Sequence, residues 1–362
     1  MLYNLGILAK RKGQYETADG LLERSLELVR DVGDRQVEVR AMGALGDNLI
    51  KQGSYDRATA LLTEWLDYSR AQGDRHDEAR AVNNLGLVEI RRARYDHARE
   101  YFEQSLTIKE ELGDARAAAR TQGNLAIIAI RQGRFTFAAE LLEERLDRQQ
   151  QFDGGVEMSS TIHKLGVVAT RQGDLTAGAD HFERALELAT ETGESRSVAM
   201  AHIGLAEIAR QEGGFDRAFD SLDAAAVTIE GVESTLDVEI QLARARVAHS
   251  AGEFDAARSH AEATLQAFES LGDRHWAARS KGMLGRIAAD TGDGELARER
   301  LLDALDTFEE IGAYYDAMET VQVLVEVDTD AVPEEYVNRG RQLLSEAPEA
   351  VVDLYPEWPP SE

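Results

Sequence analysis

Basic and amide side chains recur along this chain at intervals of 40 residues, and their types indicate what they could bind. Three series share the interval: Arg40, Arg80 and Arg120; Asn4, Asn84, Asn124 and Lys164; and Lys51, Arg91, Arg131 and Arg171. An arginine guanidinium is a planar fork of N–H donors that matches the two oxygens of a carboxylate. The basic series therefore predict a ligand that carries carboxylates, such as an acidic peptide.

The remaining polar residues show no spacing that would support catalysis. The sequence lacks the Gly-x-x-x-x-Gly-Lys-Ser/Thr loop that cradles phosphates, the His-Glu-x-x-His zinc motif and the Gly-x-Ser-x-Gly nucleophile elbow. Its eight histidines are scattered at spacings that do not suit a metal. The carboxylates are abundant, but a solvated acidic surface explains them. We therefore expect no enzyme activity, no metal site and no cofactor.

The elements that position these side chains follow the same interval. A leucine series and a turn series both keep it: Leu5, Leu45, Leu85, Leu125, Leu165 and Leu205; and Gly13, Gly53, Ala93, Gly133, Gly173 and Gly213. On each side of the turn, apolar residues recur at helical spacing, which predicts two amphipathic helices in each repeat. One such pair cannot bury its own apolar face, so the pairs must stack.

Small residues mark two further places in each repeat. Glycine stands in the middle of the first helix, as at Gly46 and Gly86. Because glycine costs about 1 kcal/mol there relative to alanine, we expect the paired helix to approach closely at these points. Pairs such as Gly33-Asp34 and Gly73-Asp74 end the second helix, with the aspartate placed to cap the helix that follows.

The repeat resembles the tetratricopeptide repeat family, in its 40-residue, long-helix variety. The residues that carry the resemblance are Leu85-Gly86, Tyr95, Ala98 and Phe102, which match the Leu-Gly, Tyr, Ala and Phe positions of that family. Kinesin light chains and Pins-type polarity adaptors contain repeats of this kind. The resemblance implies an all-α fold, a right-handed α-solenoid of about eight helix-turn-helix repeats.

The resemblance and the composition together predict three segments. Residues 1–312 form the solenoid, and residues 313–347 form helices that cap it. Residues 348–362 hold four of the five prolines and form an extended acidic tail. This tail is the kind of extended segment that a peptide-binding groove of a solenoid accepts, in the same chain or in another copy.

In the resembled family the first helix of each repeat lines a concave groove, where asparagine holds peptide backbone and arginine holds acidic side chains. The strings Arg80-Ala-Val-Asn-Asn-Leu-Gly and Arg120-Thr-Gln-Gly-Asn-Leu-Ala match that pattern. The implied peptide-binding residues are Arg40, Arg80, Asn83, Asn84, Arg91, Arg120, Asn124, Arg131 and Lys164. The pattern lacks its asparagine at Ala44 and Gly204 and its arginine at Ser160 and Met200, so repeats three and four support it best.

A structural alternative is open for the arginines. They could pair with carboxylates of the same face and join neighbouring repeats, in which case they would not be available to a ligand. The candidate partners are Glu38, Asp47, Asp74 and Glu78.

Composition limits the choice of partner and compartment. The chain has 67 acidic and 40 basic residues and a net charge of -27, which disfavours nucleic acid and anionic membrane as partners. Only six of the basic residues are lysines, a bias seen in salt-adapted proteins. There is no cysteine and no apolar run of the ~20 residues that a membrane span needs. We expect a cytoplasmic protein.

These observations favour a non-catalytic protein-interaction scaffold that binds an extended, acidic peptide segment in its groove. The alternative is a sensor or regulatory arm of a larger signalling ATPase or transcription regulator. The first helix favours that alternative, because it is short and begins on Met1-Leu2-Tyr3 instead of a polar cap. The sequence does not fix the oligomeric state.

Overall fold

A computed structural model describes residues 1–11, 14–151, 155–230, 235–327, 333–352, 354–355 and 358. Over these residues the chain forms nineteen helices and no strand, which confirms the predicted all-α solenoid class. The helices are α1 Leu2–Arg11, α2 Tyr15–Val32, α3 Arg35–Lys51, α4 Tyr55–Gln72, α5 Arg75–Arg91, α6 Tyr95–Glu111, α7 Ala115–Arg131, α8 Phe135–Gln150, α9 Gly155–Arg171, α10 Leu175–Thr192, α11 Ser195–Gln211, α12 Phe215–Thr228, α13 Thr235–Ser250, α14 Phe254–Leu271, α15 Arg274–Asp290, α16 Gly294–Ile311, α17 Tyr314–Val327, α18 Glu334–Glu346 and α19 Glu349–Val352.

The predicted helix boundaries are confirmed by the local geometry of the turns. Gly73 ends α4 with a φ of 67°, in the left-handed region that favours glycine, and Asp74 then caps α5 by accepting a hydrogen bond from the backbone N–H of Asp77. At the turn that follows α5, Ala93 takes the glycine position and adopts a φ of 55°. Gly13 lies outside the described residues.

The glycines inside the first helices lie where the paired helix comes closest, as predicted. A Cβ on Gly86 would lie 2.8 to 3.0 Å from ring atoms of Phe102, and a Cβ on Gly46 would lie 2.7 Å from Leu62. Contacts this short do not occur between real side chains, so only glycine fits. The lost helix propensity is offset by burial of Phe102 and Leu62, which are both inaccessible to solvent.

The first compact unit spans Met1–Leu125. Each odd-numbered helix packs on the even-numbered helix that follows it, and α3 also packs directly on α1 and α5. The odd-numbered helices therefore form one continuous layer, and the apolar core lies between this layer and the even-numbered helices. Leu62, Trp65 and Leu85 belong to that core.

The second compact unit spans Ala126–Glu362 and repeats the arrangement. Here α9, α11, α13, α15 and α17 form the layer of odd-numbered helices. The segment predicted to cap the repeats contains α17 and α18, and the segment predicted as an extended tail begins with the short helix α19. None of the helices in the described residues is both long and apolar enough to cross a membrane.

Candidate functional site

The exposed stripe of each odd-numbered helix in unit 1 carries most of the residues that the sequence singled out. On α5 the stripe contains Asp77, Arg80, Asn84, Leu87 and Arg91, at steps of three and four residues, while the intervening positions are largely buried. Equivalent stripes lie on α3 and on the part of α7 within unit 1. We call these three stripes together the odd face of unit 1. The helical period thus brings the arginine and asparagine series onto one surface.

The arginine row of this face consists of Arg40, Arg80 and Arg120, one on each helix. Arg40 donates from Nε to the backbone oxygen of Gln36 at 3.3 Å, within its own helix. Arg80 pairs with Asp77 at 2.8 Å, and its side chain is 53% exposed. Arg120 is exposed and makes no ion pair with any described residue. Two of the three guanidiniums therefore have no carboxylate partner among the described residues.

The carboxylates named as alternative partners are held by other groups. Glu38 pairs with Arg30 and Arg35, Glu78 pairs with Arg70 and Arg75, Asp47 pairs with Lys10 and Lys51, and Asp74 accepts the cap hydrogen bond of α5. None of these four carboxylates therefore pairs with Arg40, Arg80 or Arg120, although Asp47 does pair with Lys51 of the third basic series. The row remains positively charged on the surface of an acidic chain.

Arg80 is held in place by an aromatic ring. Its guanidinium carbon lies 5.1 Å from the ring centroid of Trp65, and Trp65 is 1% exposed. A cation over the face of tryptophan is attracted by the ring quadrupole. The ring of Trp65 is fixed by the core, so the position of Arg80 is restricted before any ligand arrives.

The three asparagines of this face differ in their contacts. Asn84 and Asn124 are partly exposed, and neither side chain makes a hydrogen bond within the described part of the chain. Asn83 points into the structure, where its Oδ1 accepts a hydrogen bond from Lys109 Nζ at 3.3 Å and lies 3.2 Å from the hydroxyl of Thr121. Asn84 and Asn124 are therefore available to a ligand, whereas Asn83 joins α5 to α6 and α7.

Lys109 is a buried cation directly behind the arginine row. It is 7% exposed, and its Nζ donates to Thr121 Oγ1 at 2.6 Å as well as to Asn83. Burial lowers the pKa of Lys109 to about 8, and the positive charges of Arg120 and Arg80 add to that effect against the opposing influence of Asp114. Lys109 thus adds positive potential behind the odd face of unit 1.

Two predicted residues, Arg131 and Lys164, lie in unit 2. Arg131 is half-buried at the end of α7. Lys164, on α9, donates from Nζ to the backbone oxygen of Ser160 at 3.2 Å and to its Oγ at 2.7 Å. The sequence grouped these two with the residues of unit 1, but the structure assigns them to a separate compact unit.

The far end of α9 is occupied by the chain's own α17. Arg171 lies 4.4 Å from the ring centroid of Tyr315 and 3.9 Å from carboxylate oxygens of Asp316 and Glu319. Burial alone would raise the pKa of Asp316, but the hydrogen bond with His275 and the charges of Arg279 and Arg171 outweigh it and hold that pKa far below its usual range. The charges at this end of unit 2 are therefore satisfied internally.

Residues of the predicted tail also pack within unit 2. A Cβ on Gly133 would collide with the side chain of Val351, which is fully buried, and a Cβ on Gly340 would collide with the ring of Trp358. Burial raises the pKa of Tyr355, and Glu319 and Tyr315 raise it further, so Tyr355 lies close to α17. Asp353, Pro356 and Glu357 lie outside the described residues.

Trp65, Thr121 and Lys109 were not among the residues predicted from the sequence as parts of the site. Trp65 stands where the next repeat has Ser105 and so breaks the repeat pattern, which was an available signal. The partners of Lys109 are 12 and 26 residues away on other helices, and no local pattern links them. The described residues contain no group of three or more histidine and acidic side chains that could hold a metal ion.

Stacked helical hairpins that recur at an interval of about 40 residues, with a small residue at the close approach of the paired helices, define an α-helical repeat protein. The family model of the tetratricopeptide repeat matches residues 1–71, 77–151, 157–226 and 237–310, which are about four-fifths of the sequence. The chain belongs to the tetratricopeptide repeat family. A comparison with curated proteins finds no match.

Solved structures show the same fold. BtubC (BKLC) from P. vanneervenii, a kinesin light chain-like repeat protein, is 24% identical and has a TM-score of 0.53, over 61% of this chain and 94% of that one. A Rap protein complexed with competence and sporulation factor is 14% identical and has a TM-score of 0.66; the match covers 98% of this chain and 95% of that one. The Rap conjugation gene regulator of plasmid pLS20, in complex with the Phr* peptide, is 13% identical and has a TM-score of 0.65; the match covers 81% of this chain and 80% of that one.

Proposed function

We propose that this protein is a non-catalytic interaction scaffold that binds an extended acidic peptide on the odd face of unit 1. Arg40, Arg80 and Arg120 would hold acidic side chains, and the amides of Asn84 and Asn124 would hold peptide backbone. The observation that carries the proposal is the arginine row, in which two of three guanidiniums have no carboxylate partner among the described residues.

The charge pattern favours unit 1 over unit 2 as the docking surface. In unit 1 Glu38, Glu78 and Asp47 are paired with cations outside the row, and only Arg80 has a carboxylate partner, Asp77, so Arg40 and Arg120 keep their charge. In unit 2, α17 supplies Asp316 and Glu319 to the arginines of the same layer. A carboxylate ligand gains most where charge-assisted hydrogen bonds are not already made.

The spacing of the row suggests a pattern for the ligand. Packed neighbouring helices lie roughly 8 to 10 Å apart, so successive arginines of the row are separated by about that distance. A polyproline II segment rises about 3.1 Å per residue with three residues per turn, which places every third side chain on one side at steps of about 9 Å. We therefore propose a ligand with Asp or Glu at every third position.

The structural neighbours agree with a peptide ligand at the level of the fold. Two Rap proteins of the same fold were solved with competence and sporulation factor and with the Phr* peptide. One of them is a conjugation gene regulator, which is consistent with the alternative role as a sensor arm. Either role would use a peptide-binding face, and the experiment with defined peptides tests that shared feature.

Fluorescence anisotropy with defined peptides tests the proposal. The first peptide carries three glutamates, one at every third position. A second peptide of equal composition carries its three glutamates at every second position. We expect the first peptide to bind at least tenfold more tightly in 0.15 M salt. We also expect an Arg80→Gln, Arg120→Gln variant to lose at least tenfold in affinity for it.

The matched control is an Arg24→Gln, Arg57→Gln variant, which removes the same charge from exposed even-numbered helices of unit 1. It should bind the first peptide like the wild type. If both variants lose affinity equally, the binding is non-specific attraction and the proposed site is wrong. Equal affinity for the two peptides would contradict the proposed spacing.

A further inference from the structure

One buried position of the repeat holds a basic residue in only one of the eight repeats. Arg145, on α8, occupies a position that is uncharged in the seven other repeats and is buried in each of them. The equivalent residues, by the 40-residue interval and its single shortening to 39, are Ser25, Trp65, Ser105, Ala185, Ala225, Thr264 and Ala304. Arg145 is 8% exposed. A buried guanidinium at this position is therefore a departure that repeat packing does not explain.

Arg145 has no partner that would compensate its charge. Its Nε is enclosed without an acceptor, and the guanidinium forms no ion pair or hydrogen bond with any described residue. Burial lowers the pKa of Arg145, and only the charge of Glu157 opposes that effect. A buried charge without an ion-pair partner is unfavourable, so an anion bound beside Arg145 would stabilise it.

A second departure lies beside the first. Lys164 replaces the asparagine, alanine, glycine or methionine of the other repeats, and it lies on α9, which packs on α8. Its two hydrogen bonds to Ser160, one turn earlier, direct the ammonium group toward the start of α9. Burial, and then the nearby charges of Arg145 and Arg196, together lower the pKa of Lys164 to about 7.

Arg196 completes the group from the next odd-numbered helix. It is the second residue of α11, which packs on α9, and the 40-residue interval places it level with residue 156, just before Ser160. It is exposed and forms no ion pair with a described residue. Arg145 on α8 and Arg196 on α11 thus lie on helices that pack against α9, and the charges of both act on Lys164, with Arg145 buried and Arg196 at the surface.

We propose that Arg145, Ser160, Lys164 and Arg196 form a binding site for a phosphate dianion, free or as a monoester, in unit 2. Arg145, Lys164 and Arg196 carry hydrogen-bond donors on three side chains, which suit the several oxygens of phosphate better than the two of a single carboxylate, and Glu157 and Glu239 are the nearby opposing charges. Lysine binds phosphate as a point charge and arginine binds it through its fork. Ser160 Oγ accepts from Lys164, so its own hydrogen remains available to donate to the ligand.

Phosphorus-31 NMR titration of the full chain with inorganic phosphate tests this site, at pH 7.5 and constant ionic strength set with chloride. We expect one phosphate per chain. Arg145→Met and Lys164→Met should each weaken binding at least tenfold. Arg217→Met, which removes an exposed arginine of unit 2 that pairs with Glu212, should bind phosphate like the wild type.

Two further arms distinguish the sources and the chemistry. Phosphoserine that competes with phosphate for the same site identifies monoesters as ligands, whereas binding of inorganic phosphate alone restricts the site to the free ion. Acetate that competes as strongly as phosphate overturns the dianion proposal. Phosphate binding that survives both the Arg145 and the Lys164 substitutions overturns the location.

The folding of the variants gives an independent check. Because Arg145→Met removes a buried charge without a partner, this variant should be at least as resistant to urea as the wild type in phosphate-free buffer. A large loss of stability would mean that Arg145 has a structural partner, and would contradict the argument. The Arg80→Gln, Arg120→Gln variant should retain phosphate binding, so the peptide proposal and this one fail independently.

Discussion

Replacing Lys109 by methionine tests the electrostatics behind the odd face of unit 1. The substitution keeps the length of the side chain and removes the charge, and the Oδ1 of Asn83 keeps the Thr121 hydroxyl as a hydrogen-bond donor. The lost hydrogen bonds of Lys109 cost roughly 1 kcal/mol each. The removed charge acts in the opposite direction, because Lys109 is 7% exposed and has no carboxylate in hydrogen-bond contact among the described residues.

The magnitude follows from the pKa of Lys109, which is lowered from 10.5 to about 8. At 1.36 kcal/mol per pKa unit, burial of the charged form costs up to about 3 kcal/mol. Below pH 8 both the folded and the unfolded chain carry the proton, and this cost is present in full. Between pH 8 and 10.5 the unfolded chain binds more protons, so wild-type stability rises with pH. Lys109→Met should therefore be about 1 kcal/mol more stable than wild type at pH 7, and less stable at pH 10.5.

Urea unfolding followed by tryptophan fluorescence measures this difference. In a Trp276→Phe, Trp358→Phe background, the buried Trp65 is the only tryptophan and reports on unit 1. Lys51→Met, which removes an exposed lysine of the same unit, should show no change in relative stability over this pH range. If the difference in unfolding free energy between Lys109→Met and the wild type stays constant from pH 7 to 10.5, Lys109 does not carry a buried charge.

Two further predictions concern packing and acid stability. Gly86→Ala should destabilise unit 1 by about 1 to 2 kcal/mol in the same Trp65 assay, because the new methyl group meets Phe102; Gly20→Ala, whose Cβ meets nothing within 4 Å, should stabilise it by up to about 1 kcal/mol. Asp316→Asn should destabilise unit 2 by about 3 kcal/mol at pH 7 by urea unfolding followed by circular dichroism. Because the pKa of Asp316 is lowered in the folded state, its contribution is lost as pH falls below about 4, so the difference should shrink at pH 3. The exposed Asp306→Asn should show neither effect.

The features that the sequence predicted correctly depend on contacts within a few residues or on the repeat interval. The cap of α5 joins Asp74 to Asp77, three residues away, so the local sequence is sufficient to predict it. The close approach at Gly86 follows from the cost of a glycine inside a helix, which packing must offset. The alignment of Arg40, Arg80 and Arg120 on one face follows from the 40-residue interval and the helical period.

The features that were missed depend on the environment of single side chains. Arg145 follows Glu143 and Glu144 in a charged stretch that suggests an exposed helix, yet it is buried. Asn83 and Asn84 are neighbours in the sequence, but Asn84 lies in the exposed stripe, whereas Asn83 lies beside it and accepts a hydrogen bond from Lys109. The 40-residue interval grouped Lys164 with Asn84 and Asn124, but it does not reveal that Lys164 lies in the second compact unit.

A charge-swap experiment tests whether the odd face of unit 1 binds the acidic peptide. An Arg80→Glu, Arg120→Glu variant is titrated by fluorescence anisotropy with the every-third-residue glutamate peptide and with the same peptide carrying lysine in place of glutamate. The wild type serves as the reference for both peptides. If the odd face of unit 1 is the binding surface, the variant loses the glutamate peptide and binds the lysine peptide at least tenfold more tightly than the wild type does. Unchanged binding of the glutamate peptide by the variant would contradict the account.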